Sequence, residues 1–138
     1  MSYLLDTNVI SETVRPRPEP RVISWFETIS SHDLHVSVVS LGEVRRGIEL
    51  LVQSPRRERL QYWLETRMPE WLGDRVLPVS AAVADRWGRV RAQSAKTLPI
   101  VDSLIAATAL HHDLRLVTRN ACDFAHFPGL VVVNPWEM

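Results

Sequence analysis

Short apolar runs alternate with amphipathic segments along the whole of this 138-residue chain. Tyr3-Leu4-Leu5 is apolar on consecutive positions, as a strand buried on both faces requires, and it runs directly into Asp6-Thr7-Asn8. Val9 to Thr13 has the look of a short helix. It is ended by Arg15-Pro16-Arg17-Pro18-Glu19-Pro20, whose alternating prolines predict an extended surface loop. Val22, Trp25, Phe26 and Ile29 then recur at helical spacing, which predicts an amphipathic helix over 22–29. His35 to Val39 is short and rich in β-branched residues, a second strand.

Ser40 opens the next helical pattern, with Leu41, Val44, Ile48 and Leu51 as its apolar side. Pro55 starts another, with Leu60, Trp63, Leu64 and Trp71 on one side and arginines and glutamates on the other. Arg75 to Pro78 with Val79 reads as a third strand, and 81–95 as a long helix with Val83, Trp87 and Val90 inward. Asp102 opens a helix over 103–112 whose alanines permit close packing on a sheet. Leu114 to Thr118 and Leu130 to Val133 are the fourth and fifth strands. Strands alternating with helices, several of them apolar on both faces, predict an α/β domain with a parallel sheet covered on both sides. No repeat, low-complexity tract or second domain interrupts residues 1–138, so one domain is expected.

Composition changes this picture only in part. An apolar fraction of 46% suits a globular protein, and no apolar run is long enough to span a membrane. There is no basic-then-apolar leader, and the lone Cys122 permits neither an internal disulfide nor a cysteine-rich zinc site. A cytoplasmic location follows as the expectation. Sixteen basic residues balance sixteen acidic ones, so bulk charge gives no argument for nucleic-acid binding. All the cations but Lys96 are arginines, a bias that suits bidentate contact with phosphate but is better explained by a GC-rich genome.

The candidate chemistry lies in four acids placed at element ends. Asp6 ends the first strand, Glu43 falls in the first turn of the helix after the second, Asp102 begins a helix, and Asp123 follows the fourth strand. In a right-handed doubly wound sheet such ends converge on one edge, where ligands bind. Each acid also has a plain structural reading. Asp6 serves as a helix cap, Ser40-Leu41-Gly42-Glu43 matches a capping box, Asp102 suits a helix dipole, and Asp123 closes a turn begun by Asn120. If they do converge, an oxygen-only donor set suits Mg²⁺ or Mn²⁺.

Leu4-Leu5-Asp6-Thr7-Asn8-Val9-Ile10, Ser40-Leu41-Gly42-Glu43-Val44, Asp102-Ser103-Leu104-Ile105-Ala106-Ala107 and Thr118-Arg119-Asn120-Ala121-Cys122-Asp123-Phe124 resemble, in that order, the signatures of PIN domains. The likeness is greatest to the VapC and FitB-like toxins of prokaryotic toxin–antitoxin pairs. It covers nearly the whole chain. The resemblance implies a three-layer fold with a parallel five-stranded sheet ordered 3-2-1-4-5, and a Mg²⁺- or Mn²⁺-dependent endoribonuclease that cleaves RNA by metal-activated water. It implies Asp6, Glu43, Asp102 and Asp123 as the acidic quartet, with Asp6 and Asp102 as direct metal ligands. Glu43 and Asp123 would act directly or through water, and Thr7 and Asn120 would orient the acids. It further implies a homodimer and a VapB- or FitA-like antitoxin that occludes the pocket. Arg45, Arg46 and Arg119 flank the motifs and are candidate RNA contacts, with solvated surface arginine as the alternative. Gly47, one helical turn after Glu43, leaves room either for a phosphate backbone or for close helix packing.

Other readings are weaker. His111 and His112 stand at a helix end but lack the spaced partners of a zinc site. A phospho-acceptor signalling domain needs adjacent acids after the first strand and a lysine near the last, and neither is present. A flap nuclease needs a duplex-gripping extension. A catalytically inactive PIN fold, kept as an RNA-binding or assembly module, is the principal alternative. Trp63 and Trp71 read as core, in part a partner surface.

Overall fold

The computed structural model describes residues 1–138. Five strands, β1 (Tyr3–Leu5), β2 (Leu34–Ser37), β3 (Val76–Leu77), β4 (Arg115–Val117) and β5 (Val132–Val133), form one sheet in the order β3-β2-β1-β4-β5. All four pairings are parallel. Side chains alternate across β1. Tyr3 and Leu5 enter one core with Val22, Trp25, Met68, Leu72 and Trp136. Leu4 enters the other with Ile105, Ala106, Ala109, Leu116 and Phe124. That period of two is what gives the sheet a core on each face. Leu4, Leu5 and Leu116 are completely buried, each contributing about 1.5–3 kcal/mol relative to an exposed side chain. No helix is long and apolar enough to cross a membrane.

The helices are α1 (Thr7–Glu12), α2 (Pro20–Glu27), α3 (Val38–Glu49), α4 (Pro55–Tyr62), α5 (Met68–Leu72), α6 (Ala81–Gln93), α7 (Ile100–His111) and α8 (Ala121–Phe124). Ala106, Ala107 and Ala109 are fully buried, so the small side chains of α7 do bring it close to its neighbours. Between α4 and α5, Trp63–Arg67 form a π-helical turn in which the Met68 amide donates to the Trp63 carbonyl. Pro69 explains it: proline cannot donate to Glu65, and its ring would clash with that carbonyl in a regular helix.

Several boundaries depart from those expected. The segment 15–20 is not extended throughout. The amides of Thr13, Val14 and Arg15 turn back onto Ile10, Ser11 and Glu12, and Pro20 already opens α2, where a missing N–H costs nothing. The buried Glu12 carboxylate holds this segment, accepting from the Glu19 amide at 2.8 Å and from Arg15 at 3.1 Å. The second strand ends at Ser37 rather than Val39, and α3 begins at Val38. Ser37 Oγ caps it by accepting from the Val39 amide at 3.1 Å, and this overrides the β-preference of Val38 and Val39. The fourth and fifth strands are shorter than expected, at Arg115–Val117 and Val132–Val133. The first helix starts two residues early, because Asp6 caps it.

Candidate active site

Asp6 leaves β1 in an extended conformation and becomes the N-cap of α1, with Oδ1 accepting from the Thr7 amide at 2.8 Å. Its backbone amide donates to the Val117 carbonyl of β4 at 2.9 Å, fixing the carboxylate at the carboxyl edge of the two central strands. The other oxygen, Oδ2, accepts from Thr118 Oγ1 at 2.8 Å and from Asn8 Nδ2 at 3.4 Å. Capping and site formation are therefore compatible, since each uses a different oxygen.

Thr118 is the hub that sequence reasoning missed. Fully buried just past β4, it gives its one hydroxyl hydrogen to Asp6 and accepts from Asn8 Nδ2 at 3.4 Å and from the Asn120 amide at 3.1 Å. That is the full capacity of a hydroxyl. Asn8 also does more than shape the backbone: its Oδ1 accepts from the Arg119 amide at 3.2 Å. The only available signal was that a hydroxyl ending an apolar strand faces the same edge as Asp6. Of the two residues expected to orient the acids, Thr7 contributes its amide, while its own hydroxyl is buried without a partner. Asn120 likewise contributes backbone, and its side chain makes no cap bond to α8.

The other acids come to the same edge by different routes. Glu43 lies in the second turn of α3, not the first, because Ser37 rather than Ser40 is the cap. The capping box is thereby excluded. Ser40 is buried inside the helix with its hydroxyl unpartnered. Asp102 lies in the first turn of α7, and Asp123 in the first turn of α8, where its amide donates to the Asn120 carbonyl at 3.0 Å.

Electrostatics ties the four together. The Asp6 carboxyl is raised above its ordinary value, first by burial, and further by the negative charges of Asp123 and Glu43. Hydrogen bonds from Thr118 and Thr7 oppose the rise. Asp102 is raised too, by burial and then by Asp6, Asp123 and Glu43. None of the four forms a salt bridge; every ion pair in the molecule involves other acids. The site is a concentration of negative charge without a protein cation.

No three His, Cys, Asp or Glu side chains stand in ligand range of a single point. The site is not a closed cage. Mg²⁺ commonly keeps several waters and takes only one or two carboxylates directly, so a spaced, oxygen-only, uncompensated set fits such an ion with water completing its shell. The unpartnered Thr7 hydroxyl beside Asp6 adds a further oxygen without a competing bond. Cysteine and histidine are absent from the set, as a hard cation prefers.

The arginines divide. Arg45 is held in ion pairs with Glu65 at 2.8 Å and Glu49 at 3.6 Å. Arg46 is exposed and unpaired. Arg119 is exposed, its guanidinium 5.5 Å from the centre of the Trp136 ring, and its backbone is tied to Asn8 and so to the acids. A Cβ placed on Gly47 would meet nothing within 4 Å, so close helix packing does not account for that glycine.

The PIN-domain family model matches residues 3–130. Toxin FitB of Neisseria gonorrhoeae is 35% identical over 137 residues, covering 97% of this chain and 98% of that protein. VapC ribonuclease Y4jK of Sinorhizobium fredii is 34% identical, covering 97% of each. The FitAcB crystal structure from Neisseria gonorrhoeae superposes with a TM-score of 0.91 at 34% identity over 99% of both chains. Toxin–antitoxin complexes are among the other solved structures with this fold.

Proposed function

The chain belongs to the PIN-domain family, and we propose that it is a metal-dependent endoribonuclease acting as the toxin of a VapBC-like toxin–antitoxin pair. The observation that carries this reading is the set of four carboxylates, Asp6, Glu43, Asp102 and Asp123, in which Asp6 and Asp102 have their proton affinity raised by burial and by the charges of the other acids, and none of which has a protein cation to offset it. A fold maintains such repulsion at a cost, and the cost is removed when a cation occupies the site. Relatives named ribonuclease and toxin support the same assignment.

Asp6 and Asp102 would hold the ion directly, with Glu43 and Asp123 acting directly or through water. Mg²⁺ or Mn²⁺ bound there supplies a Lewis acid that lowers the pKa of water and offsets charge on the scissile phosphate. The chain's own part is positional. Thr118 and the Thr7 amide fix both oxygens of Asp6, so its carboxylate cannot rotate away. The bond that the Arg119 amide donates to Asn8 Oδ1 sets the loop that carries Asn120 and Asp123. Arg119, stacked near Trp136, offers RNA phosphate a guanidinium at the rim, and Arg46 is a second free cation. Arg45 is the weaker contact, since binding phosphate would require it to leave two glutamates. A homodimer, a cytoplasmic location and an antitoxin that covers the acids complete the proposal.

The experiment is cleavage of a mixed RNA substrate by the purified protein with Mg²⁺, Mn²⁺ or EDTA, beside separately purified Asp6→Asn. Cutting that needs metal and disappears in Asp6→Asn supports the enzyme and its site together. Identical behaviour of the two proteins would favour an inactive RNA-binding or assembly module.

A further inference from the structure

We propose that Asn134 and Trp136, in the segment that follows β5, are positioning residues for RNA: they hold Arg119 as a preformed phosphate ligand beside the four acids. This role rests on the ribonuclease reading and brings in a part of the chain that none of the acidic motifs includes. β4 lies between β1 and β5, and Arg119 stands just beyond its end. Each neighbouring strand sends one asparagine to it. Asn8, beyond β1, accepts from the Arg119 amide on Oδ1 at 3.2 Å. Asn134, directly after β5, donates from Nδ2 to the Arg119 carbonyl at 3.2 Å. Both backbone polar groups of Arg119 are thereby held by side chains, one from either side. The Thr118 amide donates to the Val133 carbonyl at 3.0 Å and continues the ladder between the two segments.

The plain reading of Asn134 is a cap for the single 3₁₀ turn Pro135–Glu137, since its Oδ1 accepts from the Trp136 amide at 2.9 Å. That task alone does not require asparagine, because Asp and Ser cap about as well. What they lack is an amide N–H to offer the Arg119 carbonyl while the oxygen caps the turn. Asn134 does both, one with each atom. A single side chain therefore ties the turn that seats Trp136 to the loop that carries Arg119.

The Arg119 side chain is held as well. Its guanidinium lies 5.5 Å from the centre of the Trp136 ring, and tryptophan is the best of the aromatic faces for a cation. Trp136 is buried in the core that contains Tyr3, Leu5 and Val117, so the ring is a fixed platform. Arg119 is itself exposed and enters no ion pair. Its guanidinium is therefore placed without being consumed, and a planar fork of N–H groups is what phosphate accepts from. A long side chain that is ordered before binding does not lose its freedom on binding, which raises affinity.

The test is binding of a fluorescein-labelled single-stranded oligouridylate by the full-length chain, read by anisotropy. Ca²⁺ replaces Mg²⁺, so that a hard cation still neutralises the acids while cutting is slowed. Asn134→Ser keeps the cap and removes the tie to Arg119, and Trp136→Leu keeps an apolar side chain and removes the ring. Each should raise the dissociation constant about 2- to 10-fold, the range that ordering one long side chain represents. The decisive readout is coupling. On an Arg119→Ala background the same two substitutions should change binding little, because the arginine they position is gone. Should Trp136→Leu fail to fold, Asn134→Ser with and without Arg119→Ala still decides. Equal losses in the two backgrounds show a merely structural role and overturn the proposal, and so does unchanged affinity in Asn134→Ser and Trp136→Leu. Absence of RNA binding by the unsubstituted chain overturns it too. Cleavage by the unsubstituted chain in Mg²⁺, measured alongside, decides the ribonuclease reading separately.

Discussion

Thr118 Oγ1 donates to Asp6 Oδ2 at 2.8 Å, joining the ends of β1 and β4 across 112 positions of sequence. The same hydroxyl receives the Asn120 amide at 3.1 Å, so one buried atom couples the first acid to the loop that carries the fourth. This contact makes the acidic edge a structure rather than a coincidence of loop ends.

Thr118→Val preserves the shape and removes the hydroxyl. Asp6 loses its side-chain donor and the Asn120 amide its acceptor. Urea unfolding should show a loss of about 1–3 kcal/mol, the range for a buried hydrogen bond to a charged group. Because the Thr118 bond lowers the Asp6 pKa, the acid limb of the pH–rate profile should move to higher pH. Thr118→Ser should restore both, which separates the hydroxyl from simple packing.

Asp102→Asn should leave the metal-free protein as stable as the parent or more stable. The Asp102 side chain makes no hydrogen bond in the structure, and its carboxyl is raised above its ordinary value by burial and by three acids. The sign follows from linkage. A carboxyl whose folded pKa is raised contributes stability that is fully present below the unfolded value and is lost as pH rises through the folded value. Chemical denaturation in EDTA from about pH 4 upward should therefore show the parent losing stability with pH more steeply than Asp102→Asn. A clear loss of stability in the variant at neutral pH would instead favour a purely helix-starting role.

Mg²⁺ or Mn²⁺ should raise the melting temperature of the parent, because an ion that binds only the folded site stabilises by mass action. At a hundredfold excess over its dissociation constant the gain is about 2.7 kcal/mol. EDTA should reverse it, and Asp6→Asn or Asp102→Asn should abolish most of it. An equal shift in both variants would place the ion elsewhere.

Arg119→Ala should weaken RNA binding and flatten its dependence on salt by about one phosphate contact. Arg45→Ala should act differently. Its ion pairs with Glu49 and Glu65 are solvent-accessible, so stability should change by no more than about 1 kcal/mol. If cleavage falls further with Arg45→Ala than with Arg119→Ala, the assignment of the rim is reversed.

Sequence alone determined a good deal. The double-sided apolar runs such as Tyr3-Leu4-Leu5 dictate a buried parallel sheet, and the alternation of strand and helix dictates its layers. Asp6, Glu43, Asp102 and Asp123 could be picked out as candidates because each sits in a short motif, three of them at an element end and Glu43 inside α3. Tertiary structure decided the rest, for physical reasons that local pattern does not carry. Val38 and Val39 favour a strand, yet Ser37 caps a helix there, so a single hydrogen bond moved Glu43 from the first turn to the second. The Thr118–Asp6 bond and the tie from the Arg119 amide to Asn8 depend on strands far apart in sequence being brought side by side. Periodicity records which face of an element is buried. It does not record which polar atoms from distant elements share that burial, and in this protein those atoms organise the acidic edge of the sheet.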